Sequence, residues 1–282
     1  MLVIKTIAEL RDKLDAPRKT GKTIGLVPTM GALHQGHASL VRRSVAETDI
    51  TVVSDFVNPT QFNDPTDLNT YPRDLEADLR LLEAEGASIV FAPGVDEMYP
   101  EPDTRHFSYP GIDDVMEGAR RPGHFNGVCQ IVSKLLGAVE PHRAYFGEKD
   151  FQQIAVVRAM VDEQKIPVTI VACPIVREAD GLALSSRNTL LTPAERSLAV
   201  NISRTLFISK DYARTHSVGH TFLFVVRTLN AIEGLHVEYF DIVDACSLRK
   251  VSSWDDAPHI QGCITVYCGA RPTRLIDNIS YK

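Results

Sequence analysis

Two imidazoles three residues apart, His34 and His37, stand in the string PTMGALHQGH, with Gly36 just before the second. Neutral or charged, such rings can donate hydrogen bonds to phosphoryl oxygens, most strongly to the charge that develops when an α-phosphate is attacked. A lysine in a second glycine-bearing string, Gly147-Glu148-Lys149-Asp150, and the run Ser185-Ser186-Arg187 offer further partners for phosphate. Two hydroxyls and a guanidinium can close over a triphosphate and neutralise a leaving pyrophosphate. Amides at Gln61, Gln152 and Gln153 both donate and accept, which suits a hydroxy acid.

The elements around these residues must bring them together. Residues 24–27 form an apolar run of strand length, the chain turns at Pro28 and Gly31, and Leu40, Val41 and Val45 begin a helical period. A strand-to-helix turn leaves free backbone N–H groups and a positive dipole end pointing into the crevice. Gly36, lacking a side chain, is expected to let a ligand approach the backbone. Residues 144–146 lead in the same way into the Lys149 turn and a helix carrying Phe151, Ile154, Val157 and Met160. Lys149 so close to a helix start is repelled by the dipole unless an anion lies between them. Only one of Gln152 and Gln153 can point back into the crevice. The segment NPTQFN, residues 58–63, reads as a loop after the β-branched strand 50–57, and ligands gather at the carboxyl ends of such strands.

Elsewhere, residues 74–85 predict a helix on which Asp74, Glu76 and Asp78 cover a solvated face, with a share in holding a magnesium ion as the alternative for one of them, followed by a strand over 88–92. Residues 98–123 read as a long loop beside the cleft, and a core helix follows, with Lys134 as a surface lysine. A buried strand over 168–176 precedes GLALSSRN. From Thr192-Pro193-Ala194-Glu195, a capped helix start, the texture changes to two helices and two strands over 236–243 and 263–268. The alternation of strand and helix predicts an α/β fold, a Rossmann-like doubly wound parallel sheet over residues 1–182, with a smaller α+β lid domain over 183–282.

Hydrophobic content of 44%, charged content of 23% and net charge of −6 over 282 residues are those of an ordinary soluble globular protein, without the basic field of a nucleic-acid or acidic-membrane binder. Five scattered cysteines without a C-x-x-C pair read as free thiols of a reducing compartment. With no signal-peptide core and no apolar span, the expected location is the cytoplasm. No G-x-G-x-x-G, P-loop or G-x-S-x-G string occurs, which weighs against dehydrogenase, kinase and hydrolase sites. ATP held by the histidine pair, the lysine turn and the serine-arginine loop is the constellation that survives.

PTMGALHQGH resembles the H-x-G-H signature of the nucleotidyltransferase superfamily that includes class I aminoacyl-tRNA synthetases. Together with VNPTQF, GEKDFQQ and GLALSSRN, and with TRLIDNI near the end, it resembles the pantoate–β-alanine ligase family in particular. The resemblance implies a ligase that adenylates pantoate with ATP and Mg2+, releases pyrophosphate, and transfers the acyl group to β-alanine to give pantothenate and AMP. It implies that His34, His37 and Lys149 are catalytic. ATP would be bound by Met30, Gly31, Ala32, Leu33, His34, Gln35, Gly36, His37, Gly147, Glu148, Lys149, Asp150, Val176, Leu184, Ser185, Ser186 and Arg187. Gln61 and Gln153 would hold pantoate, Gln61 also lying beside β-alanine. A homodimer through the first domain is implied too, whereas metal ligands are not. Asp55, where the family usually has an apolar residue, and Thr60, where it often has leucine, depart from the pattern. Another H-x-G-H nucleotidyltransferase, such as one acting on phosphopantetheine, is disfavoured by NPTQF and GEKDFQQ. A nucleotide-binding regulator without turnover is disfavoured by the intact histidines, Lys149 and Arg187.

Overall fold

The computed structural model describes residues 1–62 and 65–282. Asn63, the last residue of the NPTQFN segment, lies outside them. Strands β1 (Leu2–Ile4), β2 (Ile24–Thr29), β3 (Ile50–Asp55), β4 (Ile89–Phe91), β5 (Arg143–Gly147) and β6 (Thr169–Cys173) form one wholly parallel sheet in the order β1-β4-β3-β2-β5-β6. Both faces are covered, so the strands read as nearly continuous apolar runs. Leu26 and Val52 point into the core shared with helices α1 (Ile7–Lys19) and α7 (His124–Val139). Val27 and Val53 point into the opposite core, against Leu40 and Val41 of α2 (Gln35–Glu47) and Leu82 of α4 (Leu75–Ala84).

The chain steps outward from β2 through β3 to β4, then returns to place β5 and β6 on the other side of β2. The reversal opens a crevice at the carboxyl ends of β2 and β5, where open α/β sheets bind ligands. Both phosphate-suited turns leave the sheet there.

Several boundaries differ from expectation. β3 stops at Asp55, and the NPTQF string makes a 3-10 turn, Pro59–Gln61, before the short helix α3 (Pro65–Thr70). The long loop over 98–123 follows α5 (Val95–Met98) and contains α6 (Met116–Arg120). Lys134 is half-buried rather than a plain surface lysine: its ammonium lies 3.6 Å from Asp103 and 5.0 Å from the Tyr99 ring centre. Cys129, Cys173, Cys246, Cys263 and Cys268 are free thiols. Among the described residues no helix is long and apolar enough to cross a membrane.

The second sheet is antiparallel, β7 (Leu235–Asp244), β8 (Ile260–Cys268) and β9 (Thr273–Ser280), packed on α9 (Pro193–Tyr212) and α10 (Val218–Asn230). Thr192 and Glu195 make the expected reciprocal cap of α9. The chain's end was not expected to be a strand. Its alternation is masked because Asp277 and Asn278 are buried side by side, both bonded to residues outside the sheet.

Candidate active site

The histidine pair is built by the start of α2. His34 is the N-cap: its Nδ1 accepts the backbone N–H of Gly36 at 3.1 Å, and Nδ1 of His37 accepts the backbone N–H of His34 at 3.3 Å. Each ring therefore caps the helix with one nitrogen and carries its hydrogen on Nε2. Burial and the nearby Lys149 charge lower the pKa of His34 to about 4. Burial, His34 and Lys149 lower that of His37 to about 3. Both are neutral donors at physiological pH. A Cβ on Gly36 would lie 2.8 Å from the His34 ring, so its bareness makes room for that imidazole, and Gly36 also lines the cleft.

Lys149 sits in a 3-10 turn, Glu148–Asp150, between β5 and helix α8 (Phe151–Gln164). The turn is held from the other sheet. Asn278 of β9 donates from Nδ2 to the carbonyls of Glu148 at 2.8 Å and Lys149 at 3.1 Å. Ser185 caps the 3-10 segment Ser186–Leu190, and Asn188 ties that loop to Ala183 and Glu178. Arg177 in turn pairs with Asp277 at 2.7 Å. The serine-arginine loop is thus fixed by both halves of the chain.

One continuous cleft joins these parts. Met30, His34, Gly36, His37, Gly147, Lys149, Asp150, Val176, Leu184, Ser185, Ser186 and Arg187 line it, and so do Gln61 and Gln153. Gly31, Ala32, Leu33, Gln35 and Glu148 do not. Gln35 is exposed on the outer side of α2, and the Gly31–Leu33 turn is drawn toward α4 instead.

The two glutamines are set from behind. Asn58, fully buried, donates to Gln61 Oε1 at 3.1 Å and to the Gly127 carbonyl, so the Gln61 amide is turned by its partner. Helix α7 comes so near that a Cβ on Gly127 would lie 2.4 Å from the Thr60 carbonyl. His124 donates from Nδ1 to the Gln61 carbonyl at 2.9 Å and receives Arg121 on Nε2. Burial and the Arg121 charge lower its pKa to about 4. Of the adjacent pair, Gln152 is buried and occupied with Glu117, Ile112 and Val115, leaving Gln153 to the cleft. Val128, Ile131 and Leu135 of α7 make an apolar wall beside both.

Asp78 was expected on a solvated face and is instead buried. Its carboxylate accepts the backbone N–H groups of Ala32 at 2.9 Å and Leu33 at 2.7 Å. Asn58, His124 and Asn278 were also missed. Only the glycine-rich string around His124 carried any local signal. Among the described residues no group of three His, Cys, Asp or Glu side chains has the placement to hold a metal ion.

A second set of contacts ties α6 to the second sheet. Glu117 of α6 receives Arg274 through both guanidinium nitrogens at 2.6 and 2.8 Å, Thr265 at 2.7 Å and Tyr239 at 2.8 Å, all from the second sheet.

A model of the pantoate-beta-alanine ligase family matches residues 2–280. The chain is 62% identical to a pantothenate synthetase of Bacteroides fragilis over 100% of this chain and 99% of that one. A crystal structure of pantothenate synthetase from Thermus thermophilus superposes with a TM-score of 0.92 at 43% identity, covering 99% of both chains. A pantoate-beta-alanine ligase from Francisella tularensis, solved with a β,γ-ATP compound and β-alanine, superposes with a TM-score of 0.81 at 32% identity, covering 99% of this chain and 97% of that one. With a six-stranded parallel sheet, a small antiparallel sheet and this full-length likeness, the chain belongs to the pantoate–β-alanine ligase family.

Proposed function

We propose that this chain joins pantoate to β-alanine at the expense of ATP, through a pantoyl adenylate, giving pantothenate, AMP and pyrophosphate. The observation that carries this reading is the convergence of two neutral Nε2–H imidazoles, one ammonium and the serine-arginine loop on a single cleft at the sheet's switch point.

In the first step a pantoate carboxylate oxygen bonds to the α-phosphorus of ATP, and the bond from that phosphorus to pyrophosphate breaks. Nε2–H of His34 and His37 donate to the α-phosphoryl oxygens, whose charge grows on the way to the transition state. Being neutral, they stabilise by hydrogen bonding and need not transfer a proton. Lys149, Ser185, Ser186 and Arg187 offset the charge of the departing pyrophosphate. Met30, Gly36, Gly147, Asp150, Val176 and Leu184, which line the cleft, complete the nucleotide's surroundings. Magnesium belongs to the proposal as a companion of the phosphates, lowering their negative charge when bound.

Pantoate carries two hydroxyls, a carboxylate and a pair of geminal methyls. The amides of Gln61 and Gln153 suit the polar groups, and the wall of Val128, Ile131 and Leu135 suits the methyls. Gln61 lies where β-alanine must arrive for its amine to attack the acyl carbonyl and release AMP. Residues 183–282 serve as a lid that keeps water from the adenylate, supported by the contacts of Asn278 with the Lys149 turn. Cytoplasmic location and a homodimer through the first domain complete the reading, the latter open to sedimentation.

Purified protein given ATP, pantoate and β-alanine is expected to form AMP and pantothenate in equal amounts, and to exchange pyrophosphate into ATP only when pantoate is present. Exchange independent of pantoate would reject the proposal.

A further inference from the structure

Gly31 and Ala32, at the start of the histidine turn, both lie in the left-handed region, with φ of 76° and 50°. For alanine that conformation is strained and persists only where the surroundings enforce it. The enforcing group is Asp78 of α4, which takes the N–H of Ala32 on Oδ2 and that of Leu33 on Oδ1. Directly beneath the turn stands a second carboxyl, Asp55, the last residue of β3. A Cβ placed on Gly31 would lie 2.6 Å from Asp55 Oδ1 and 3.1 Å from Asp78 Oδ2, so both acids crowd against one glycine. Oδ2 of Asp55 is buried and has no hydrogen-bond partner among the described residues.

Two ionised carboxylates in this position would be two acceptors facing each other out of water, which is costly. A proton on Asp55 converts the contact into an O–H···O bond and leaves Asp78 charged to hold the amides. We propose that Asp55 is a positioning residue for the nucleotide turn: protonated, it braces Asp78 and keeps Gly31–Leu33 and His34 in place, and ionised, it loosens them. Burial first, and then the Asp78 charge, push its pKa up to about 7. Among the described residues Asp78 is the only charged group acting on it. The turn after β2 faces it with backbone, and His34 and His37 stay neutral through this range. The nucleotide site thereby gains a dependence on neutral pH that its imidazoles cannot supply.

This inference rests on the proposed ATP site, and its test separates the two. ATP binding to the full chain is measured by calorimetry, without pantoate, at pH 6 and pH 8.5, alongside the KM for ATP in pyrophosphate exchange. From pH 6 to 8.5 the wild-type affinity is expected to weaken by about tenfold, the scale of one charge-assisted hydrogen bond. Asp55→Asn, whose amide donates at either pH, is expected to hold its affinity within about twofold across the same range. Titration of ATP itself is common to both proteins and cancels in their ratio. Asp78→Asn, which weakens the clamp outright, is expected to bind about tenfold less tightly at both pH values. Equal pH dependence in wild type and Asp55→Asn, or none in either, overturns the inference while leaving the ATP site standing. No ATP binding at any pH overturns both.

Discussion

Nδ1 of His37 accepts the backbone N–H of His34 at 3.3 Å, so the second histidine of the motif fixes the main chain of the first. With Nδ1 of His34 taken by Gly36, both rings are locked with hydrogen on Nε2 before any ligand arrives. Burial keeps them neutral, with pKa values of about 4 and 3. At saturating substrate the pyrophosphate-exchange rate should therefore show no histidine limb between pH 5.5 and 7, losing activity to imidazole protonation only near pH 4, as ~90% neutral rings one unit above that pKa require. A limb centred at 6.5 that vanishes in His34→Asn would contradict this.

Loss of a preorganised donor in a closed site costs about two to three orders of magnitude in rate. His37→Ala and Lys149→Ala are each expected to reduce pantoate-dependent exchange by at least about a hundredfold, while far-UV circular dichroism stays unchanged. Near-normal adenylate formation in both variants would refute their assigned roles.

Asn278 supports Lys149 from the opposite sheet, through two carbonyls. Asn278→Ala removes both bonds without touching a ligand. At about 1 kcal/mol for each net hydrogen bond, kcat/KM for ATP should fall by roughly tenfold to thirtyfold. The KM for β-alanine measured in the second half-reaction is expected to change less than twofold. An equal loss on both substrates would mean that the residue only maintains the fold.

Glu117 ties α6 to the second sheet through Arg274, Thr265 and Tyr239. Burial would raise its pKa, but the bonds from Arg274 overcome it and hold the carboxyl at about 2, below its ordinary 4.5. A depressed carboxylate adds stability that is present above 4.5 and is lost as pH falls toward 2. The wild-type melting temperature should decline between pH 5 and pH 3, and Glu117→Gln should lose part of that decline. At pH 7 the same variant should cost about 1–2 kcal/mol, the scale of weakened charge-assisted hydrogen bonds, because Arg274 keeps Glu238 as a partner. Parallel pH profiles in urea melts of the two proteins would exclude the linkage.

Much of this molecule was legible along the chain. The order of strand and helix, the glycine-bearing turns at Gly31 and Gly147 and the capping box at Thr192 and Glu195 are written in residues within a few positions of each other. Hydrophobic periodicity and cap chemistry are local, so the sequence carries them openly. The histidine pair, Lys149 and the serine-arginine loop were visible for the same reason, since their residue types stand out beside predicted strand ends.

Other features depended on partners far away in the chain. Asp78 looked like one more acid on a polar helix until the turn 46 residues earlier was laid against it. Asn278, 129 residues beyond Lys149, gave no hint of its partner, and the polar pair it forms with Asp277 hid the last strand. Whether Gln152 or Gln153 faces the cleft was decided by where α6 packs. Sequence by itself determined most of the alternating strands and helices and which side chains could bear chemistry, because those follow from nearest-neighbour pattern. Tertiary structure alone decided tautomers, charge states and support, because burial and long-range hydrogen bonds exist only once distant segments share one interior.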